Sequence, residues 1–549
     1  MDAEVLVVGG GPVGLGLAVE LGLRGIRTVL VEQSARHAAQ PRAKTTNIRS
    51  MEHMRRWGIA GRIRADAPLP PDYPTDVVFA TRLFGHRLAK FENAFFGTRA
   101  PGTPRDERFA EPAQWIPQYR VEAALRSRAA ELPGVTLRLG TRLTAIRQDA
   151  KGVEADLADL ATGTATSLRA AYAIGADGAR SAVREAIGAR MEGRHAYAQH
   201  VNLVIRAPAL REAMRHEPAI MYWLVNGDSA GFCGPMETGN AGGDLWFFMF
   251  ALAPGKALPD LPALQRRLDL AFGREVGAEI LVVDPWSAHS LIADRYRDRR
   301  ILLAGDACHL HPPFGGYGMN LGIGDAVDLG WKLAAVLRGW GGPRLLDSYE
   351  AERRPVHRRV IEEAVANSTL LAKDLVTPLL EAAGPDGAAE RQAVGARILA
   401  GKEREFRALG VVLGGRYDAS PILPAEAAPP PPDEPIRHQP SAHPGSRAPH
   451  LWLADGRSLF DLFGPGFTLL VCAPAGTAPI EAAARAVGLP LAVAAPRDER
   501  LHALYGARLA LIRPDGHVGW RGDAAPADPR ALLDLLRGAA GLPASPRPA

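Results

Sequence analysis

The chain has 549 residues, 47% hydrophobic and 23% charged, with a formal net charge of +5, the make-up of a soluble globular protein of two or three domains. Its three cysteines, Cys233, Cys308 and Cys472, lie far apart with no CxxC pair, which excludes a disulfide framework and fits a reducing compartment. The densest basic run, Arg353-Arg354 through Arg358-Arg359, is broken by Pro355 and flanked by acids, so it reads as a solvated helix face and not as a nucleic-acid patch.

The first uncharged stretch, Val5 to Val19, follows Asp2 and Glu4, is rich in glycine and is too short to cross a bilayer. A cytoplasmic protein without membrane attachment is expected. Residues 4–8 instead form an apolar strand that runs into Gly9-Gly10-Gly11-Pro12-Val13-Gly14, a G-x-G-x-x-G. A helix follows, ended by Gly25, and a second strand over 26–31 delivers Glu32. In such a unit Gly9 permits a tight turn, Gly11 lets a pyrophosphate approach the backbone, and Gly14 lets helix and strand pack closely. The helix N-terminus offers free N–H groups and about half a positive charge to the anion. Glu32 can accept hydrogen bonds from a ribose diol. The motif predicts a dinucleotide cradle without deciding between FAD and NAD.

A second strand-turn-helix unit spans 172–181, with Asp177 at the strand tip and Ser181 as helix cap. At this level Asp177 serves equally as a turn former or a ligand. From about 195 to 290 the texture changes to period-two alternation, as in Leu245-Trp246-Phe247-Phe248-Met249-Phe250, which predicts an antiparallel sheet. Alternation puts Trp246, Phe248 and Phe250 on one face. With Tyr222, Trp223, Trp286 and His289 they make candidates for an aromatic-lined pocket, beside the alternative of ordinary sheet core.

The third unit, 300–320, delivers Asp306 at the tip of an apolar strand. It continues through Pro312, Pro313, Gly315, Gly316 and Gly318 into a helix near Met319-Asn320. A carboxylate at Asp306 can hold a ribityl chain, and the helix start can stabilise negative charge on a reduced flavin. His309 and His311 beside this loop suggest structural or flavin contacts, with no converging ligand set for a metal. A long helix is predicted from about 348 to 375, then a stiff Pro-rich linker over 421–449 without a core of its own, then a small α/β domain. Its strands are predicted at 467–472, 490–494 and 509–513, with a turn at 514–516. Cys472 reads as a buried core thiol, and a packing or dimer-contact role is expected there.

These three units, in this order, resemble the class A flavoprotein aromatic hydroxylases, the group of para-hydroxybenzoate hydroxylase and phenol hydroxylase. The likeness covers roughly residues 1–400 and is most specific at Gly305-Asp306 and Gly315-Gly316-Tyr317-Gly318-Met319-Asn320. It implies an α/β architecture: a Rossmann-like FAD-binding domain, an antiparallel-sheet substrate domain inserted at about 75–110 and 190–290, and, past a helix end and linker at 401–449, a thioredoxin-like domain at 450–549. It implies that Gly9, Gly11, Pro12, Val13, Gly14, Glu32 and Gln33 hold the ADP half of FAD. Arg42 and Gln118 would touch its phosphate and ribityl regions, and Asp177 would serve FAD and NAD(P)H. Asp306, Pro313, Gly316, Gly318, Met319 and Asn320 would meet the ribityl chain and the ring. Tyr222, Trp223, Trp246, Phe248, His289 and Pro312 are the candidate substrate contacts.

The implied reaction is NADH- or NADPH-driven insertion of one atom of O2 into a phenol-like or polycyclic phenolic ring by way of a C4a-hydroperoxyflavin, in a monomer or homodimer. Two departures stand out. Tyr317 replaces the Gln common before Gly-Met-Asn, which a backbone role survives. Relatives carry a His where this chain reads Pro41-Arg42-Ala43-Lys44. Lys44 can hold a phenolate or a carboxylate electrostatically; it can act as the base only if burial or a neighbouring cation such as Arg42 lowers its pKa; the remaining reading is a surface lysine with no catalytic role. A flavin halogenase is disfavoured because Gln114-Trp115-Ile116-Pro117 lacks the first Trp of its motif. A flavin dehydrogenase or oxidase, and a flavoprotein that binds an aromatic compound without turnover, stay open.

Overall fold

The computed structural model describes residues 1–35, 42–97, 102–208, 210–237, 244–253 and 255–540. Pro41 and the tail 541–549 of the terminal domain therefore lie outside the described residues. The first sheet runs in the order Arg297–Asp298, Ile301–Leu303, Ala165–Gly175, Ala3–Val8, Thr28–Glu32, Val135–Leu139. All neighbours from Ile301–Leu303 to Val135–Leu139 are parallel. Ala3–Val8 is almost wholly buried, as a central parallel strand covered on both faces must be. The helices Pro12–Leu23 and Gly318–Leu337 pack against each other over this sheet. Three strand tips meet in one crevice: Val8-Gly9, Gly175-Ala176-Asp177 and Leu303-Ala304-Gly305-Asp306.

The second sheet has the order His309–Leu310, Glu279–Ala293, Met191–Arg206, Leu245–Leu252, Gly231–Glu237, Met221–Leu224, Val77–Ala80, Arg87–Phe91. Its pairs are antiparallel except Met221–Leu224 with Val77–Ala80. The alternation of Leu245–Leu252 divides its rings between two buried cores. Trp246, Phe248 and Phe250 join Tyr222, Cys233 and the helix Leu261–Phe272. Phe247 joins Trp115, Trp223, Val204, Phe314 and Phe406 on the opposite face.

The predicted helix from 348 is Asp347–Asn367, and it stops short of the expected end near 375. Ser368 and Thr369 donate their hydroxyls to Val365 O at 2.6 Å and Ala366 O at 2.7 Å, competing for the carbonyls that a longer helix would need. A helix that the sequence pattern leaves without assignment, Gly384–Phe406, crosses back onto the second sheet beside Arg87–Phe91. The Pro-rich stretch contains no helix or strand, but its end is not a free spacer. Ala442 and Ala448 are buried, and Arg447 pairs with Glu52 of the helix Ile48–Arg56.

The terminal domain is a four-stranded sheet in the order Leu491–Ala494, Phe467–Val471, Leu509–Ile512, Val518–Gly522, a thioredoxin-like arrangement with one parallel and two antiparallel pairs. Arg513 anchors it. Fully buried, it donates to Glu352 at 2.7 and 2.8 Å, Asp515 at 2.6 Å and Asp328 at 3.2 Å, while Lys332 bridges Asp328 and Glu352. Arg513 thus joins the terminal domain to the helices Gly318–Leu337 and Asp347–Asn367, and removing one partner of such a buried set typically costs about 3–5 kcal/mol because the remaining charges are left uncompensated. No helix among the described residues is long and apolar enough to cross a membrane.

Candidate active site

The glycines of the first turn divide their work as the motif requires. Gly9 has φ +110°, and a Cβ there would sit 2.2 Å from Ala176 O; a Cβ on Gly14 would sit 1.9 Å from Gly9 O. Both positions are closed by packing. A Cβ on Gly11 would meet nothing within 4 Å, so this backbone faces open space. Gly11 caps the helix that opens with Pro12 and Val13, and no side chain occupies its N-terminus. The Glu32 carboxylate accepts from Gly10 N–H at 2.6 Å and Ser34 N–H at 2.7 Å, which fixes it beside the glycine turn. Gln33 is exposed at the same edge.

Asp177 accepts from Ser181 O–H at 2.5 Å and Val183 N–H at 3.1 Å, and Ser181 caps the helix Ala182–Ala186. Its carboxylate thus supports the turn, and burial pushes its pKa up. Asp306 differs. Its side chain is exposed within the crevice. The surrounding protein raises its pKa by desolvation, countered by the fields of His309 and Arg42, with no hydrogen bond contributing. Beyond it, Pro313 is exposed, and Gly315 and Gly316 adopt left-handed backbone, φ +92° and +68°. The helix Gly318–Leu337 begins there with no side-chain cap. An open glycine backbone, two uncapped helix starts and a solvent-facing carboxylate at adjacent strand tips fit a pyrophosphate, a ribityl chain and an anionic ring, the parts of FAD.

Asn320 ties this loop to a neighbouring strap. Its Nδ2 donates to Thr45 O at 2.9 Å and Gly316 O at 2.7 Å, and its Oδ1 accepts from Asn47 N–H at 2.9 Å. Gln118 donates its backbone N–H to Ala43 O at 2.9 Å and its side chain to Glu122, so it shapes the strap from below. The strap carries Lys44, half-buried, to the second sheet, with Nζ 4.1 Å from the centre of the Phe247 ring. Burial lowers its pKa to about 8, the condition for a base role. Met319 is buried and packs into the core under the loop.

The structure divides the expected substrate contacts between the two faces of the second sheet. Tyr222, Trp246 and Phe248 lie on the face covered by the helix Leu261–Phe272, away from the loop after Asp306. The Tyr222 hydroxyl is spent on Ala219 N–H at 2.9 Å and Glu217 O at 2.8 Å. Adjacent strand residues point to opposite faces, and ring content does not tell which face meets the cofactor. The loop-facing side carries Phe247, Trp223, His200 and Trp286. His200 stacks on Trp286 at 4.4 Å, and Phe314 of the loop lies 6.3 Å from His200 and 6.5 Å from Trp223. Trp223 is on the expected side but closed off, stacked between Phe79 and Phe232. His289 sits beside a bulge, accepting from Ala196 N–H at 3.2 Å, and Pro312 is buried, its carbonyl 2.8 Å from His311 Nδ1.

Sequence reasoning missed three groups on the loop-facing side. His200 Nδ1 and Asn202 Oδ1 are buried without hydrogen-bond partners among the described residues, and burial lowers the His200 pKa to about 4. From the helix Gly384–Phe406, Lys402 sits 4.4 Å over the Trp223 ring and donates to Glu405 at 2.6 Å. The alternation of His200 and Asn202 with Val201 and Leu203 could have flagged the first two. Nothing local marks Lys402.

Known proteins resemble the chain throughout. A family model described as FAD binding domain matches residues 2–364, and one described as aromatic-ring hydroxylase, C-terminal, matches 441–543. Aklavinone 12-hydroxylase DnrF of Streptomyces peucetius is 35% identical over 87% of this chain and 93% of its own length. Phenol 2-monooxygenase of Pseudomonas sp. (strain EST1001) is 32% identical over 98% and 93%. The structure of the rebeccamycin biosynthetic enzyme RebC with reduced flavin superposes with a TM-score of 0.89 at 37% identity, covering 98% of this chain and 99% of that one.

Proposed function

The chain belongs to the FAD-dependent aromatic-ring hydroxylases, and from that premise we propose that Lys44 takes the proton of a planar phenolic substrate and holds the resulting phenolate beside the flavin. The protein is an FAD-dependent aromatic monooxygenase that uses NAD(P)H and O2 to hydroxylate phenolic substrates. Bound FAD supplies the electron transfer from the nicotinamide and the activation of O2.

On this reading, Gly11, Pro12, Val13, Gly14, Glu32 and Gln33 border the ADP half, with Arg42 near the phosphates. Asp306 takes the ribityl hydroxyls, and the backbone of Pro313, Gly316, Gly318, Met319 and Asn320 borders the ring. Asp177 steadies the turn between them. The substrate lies between this loop and the opposite sheet face, around Phe247, His200 and Trp286. Polycyclic rings are favoured by relatives such as the aklavinone hydroxylase and by an aromatic face that crosses several strands. His200 Nδ1 and Asn202 Oδ1 supply polar contacts for further substituents. The closed aromatic packing keeps water from the reacting ring. Catalysis falls to about residues 1–400, with the terminal domain as a brace. Three buried free thiols support a cytoplasmic setting.

One observation carries the role of Lys44: a half-buried ammonium over Phe247 that has no carboxylate partner among the described residues. A bound phenolate supplies that partner. The test is the ultraviolet difference spectrum of a bound phenol at about pH 8.5, just above the lowered lysine pKa. Wild type should show the phenolate band, and Lys44→Met should bind the same compound as neutral phenol with its FAD retained. An identical phenolate band in both would refute the assignment.

A further inference from the structure

Beneath the Gly305-Asp306-Ala307 turn lies a buried set of side chains with no direct part in the cofactor or substrate contacts proposed for this site. Asp325, on the helix Gly318–Leu337, is wholly buried, and its carboxylate accepts four hydrogen bonds. Oδ2 takes Gly305 N–H at 3.0 Å and His309 Nε2 at 2.9 Å; Oδ1 takes Arg353 Nε at 2.8 Å and His357 Nε2 at 2.7 Å. Burial alone would favour the neutral acid, but the fields of His357, Arg353 and His309 outweigh it and hold the carboxyl well below its usual range. An ionised carboxylate only accepts, so Nε2 of each histidine carries a hydrogen. His357 Nδ1 then accepts from the Tyr296 hydroxyl at 2.8 Å. The spacing of Cys308, His309 and Asp325 would admit a metal ion, but four donors already occupy the carboxylate, and the Arg353 cation would repel one.

The two groups that Asp325 holds on the loop, Gly305 N–H and His309, bracket Asp306. Gly305 sits at φ +63°, and a Cβ there would come within 2.8 Å of Val13 Cγ2, so the turn is pressed against the glycine-motif helix. Cys308 N–H closes it onto Gly305 O at 2.8 Å. With both ends of the turn tied to one buried anion, the backbone that carries Asp306 is held from below. We propose that Asp325 is a positioning residue for the flavin. It sets the backbone of 305–309 so that Asp306 meets the ribityl chain, and the retention of FAD depends on it. The inference rests on reading Asp306 as the ribityl-binding acid.

The test compares two probes. Full-length protein freed of flavin is titrated with FAD and, separately, with ADP, which reaches the glycine turn but lacks the ribityl chain and ring. Asp325→Asn should raise the Kd for FAD at least about tenfold, which corresponds to about 1.4 kcal/mol, and leave the Kd for ADP within about twofold of wild type. Asp306→Asn should show the same selectivity. Equal losses for both probes would mean general damage, and unchanged FAD affinity would mean no positioning; either overturns the proposal. Should Asp325→Asn fail to fold, His309→Leu, which removes one of the two ties between the loop and the carboxylate, is read in the same way: a selective loss of FAD supports the proposal, and an equal or absent loss overturns it. A selective loss in Asp325→Asn beside an unchanged FAD affinity in Asp306→Asn would instead refute the ribityl reading of Asp306 itself.

Discussion

The two faces of the second sheet are both rich in aromatic rings, yet they meet different neighbours. Trp246, Phe248, Phe250 and Tyr222 press against the helix Leu261–Phe272. Phe247, Trp223, His200 and Trp286 look toward the loop that follows Asp306. Each face even carries a cation over a ring: Arg267 lies 4.1 Å from Phe250 on one side, Lys44 4.1 Å from Phe247 on the other. The lesson is that ring content marks a core, and only what lies across from a face decides whether the core is also a site. On one side that neighbour is a covering helix. On the other, helix Gly384–Phe406 covers the part around Trp223, and Phe314 of the cofactor loop and the strap held to that loop by Asn320 cover the rest.

Substitutions on the two faces should separate stability from catalysis. The largest effect is expected from Phe248→Ala on the helix-covered face, which should lower unfolding free energy by about 3–5 kcal/mol in a denaturant titration and leave kcat/KM per folded molecule unchanged. A matching loss of kcat/KM would erase the distinction between the faces. Next comes Lys44→Met. It should lower kcat/KM for a phenol about 10- to 100-fold, the loss of about 1.4–2.8 kcal/mol of transition-state stabilisation. The same variant should raise the melting temperature of the flavin-free protein, because the native state no longer buries an unpaired ammonium. A simple structural lysine would move both quantities down.

Tyr222→Phe should cost about 1–3 kcal/mol of stability, since Ala219 N–H and Glu217 O lose their partner, with KM unaltered. The smallest effect is the pH dependence. Lys44 must shed its own proton, with a pKa of about 8, before it can take one from the phenol. In wild type kcat/KM should therefore rise up to about pH 8, hold level, and fall above the phenol's own pKa near ~10. Lys44→Met should lose the rise near pH 8. On the stability side the native pKa is depressed below the unfolded value of 10.5, so stability should increase as pH climbs from about 8 toward 10.5, and this increment should vanish in the same variant.

The cofactor half of the site was readable because its chemistry is local. Gly9 and Gly14 stand where a turn and a close backbone contact each forbid a side chain, Gly11 leaves its backbone open to a ligand, and Asp306 stands at the end of an apolar run. The proposed substrate half was not, because its parts come from five separate stretches: the Lys44 strap, His200 and Asn202, Phe247, Trp286 and Phe314. Alternation placed Trp246, Phe248 and Phe250 on one face correctly, but a period of two is symmetric between inside and outside of a sheet with both faces buried. Helix Gly384–Phe406 carries Lys402 and Glu405 to that face through tertiary packing alone.

By itself, then, the sequence determined the order of strand, turn and helix, the cradle for a dinucleotide and the acid beside it, since each rests on backbone freedom and on charge at neighbouring positions. Only the tertiary structure decided which sheet face looks toward the loop after Asp306, that Lys44 is half-buried with a lowered pKa, and that Asp325 ties both ends of the Asp306 turn. Those properties depend on desolvation and on partners brought together from distant parts of the chain, and neither is written in any single stretch of residues.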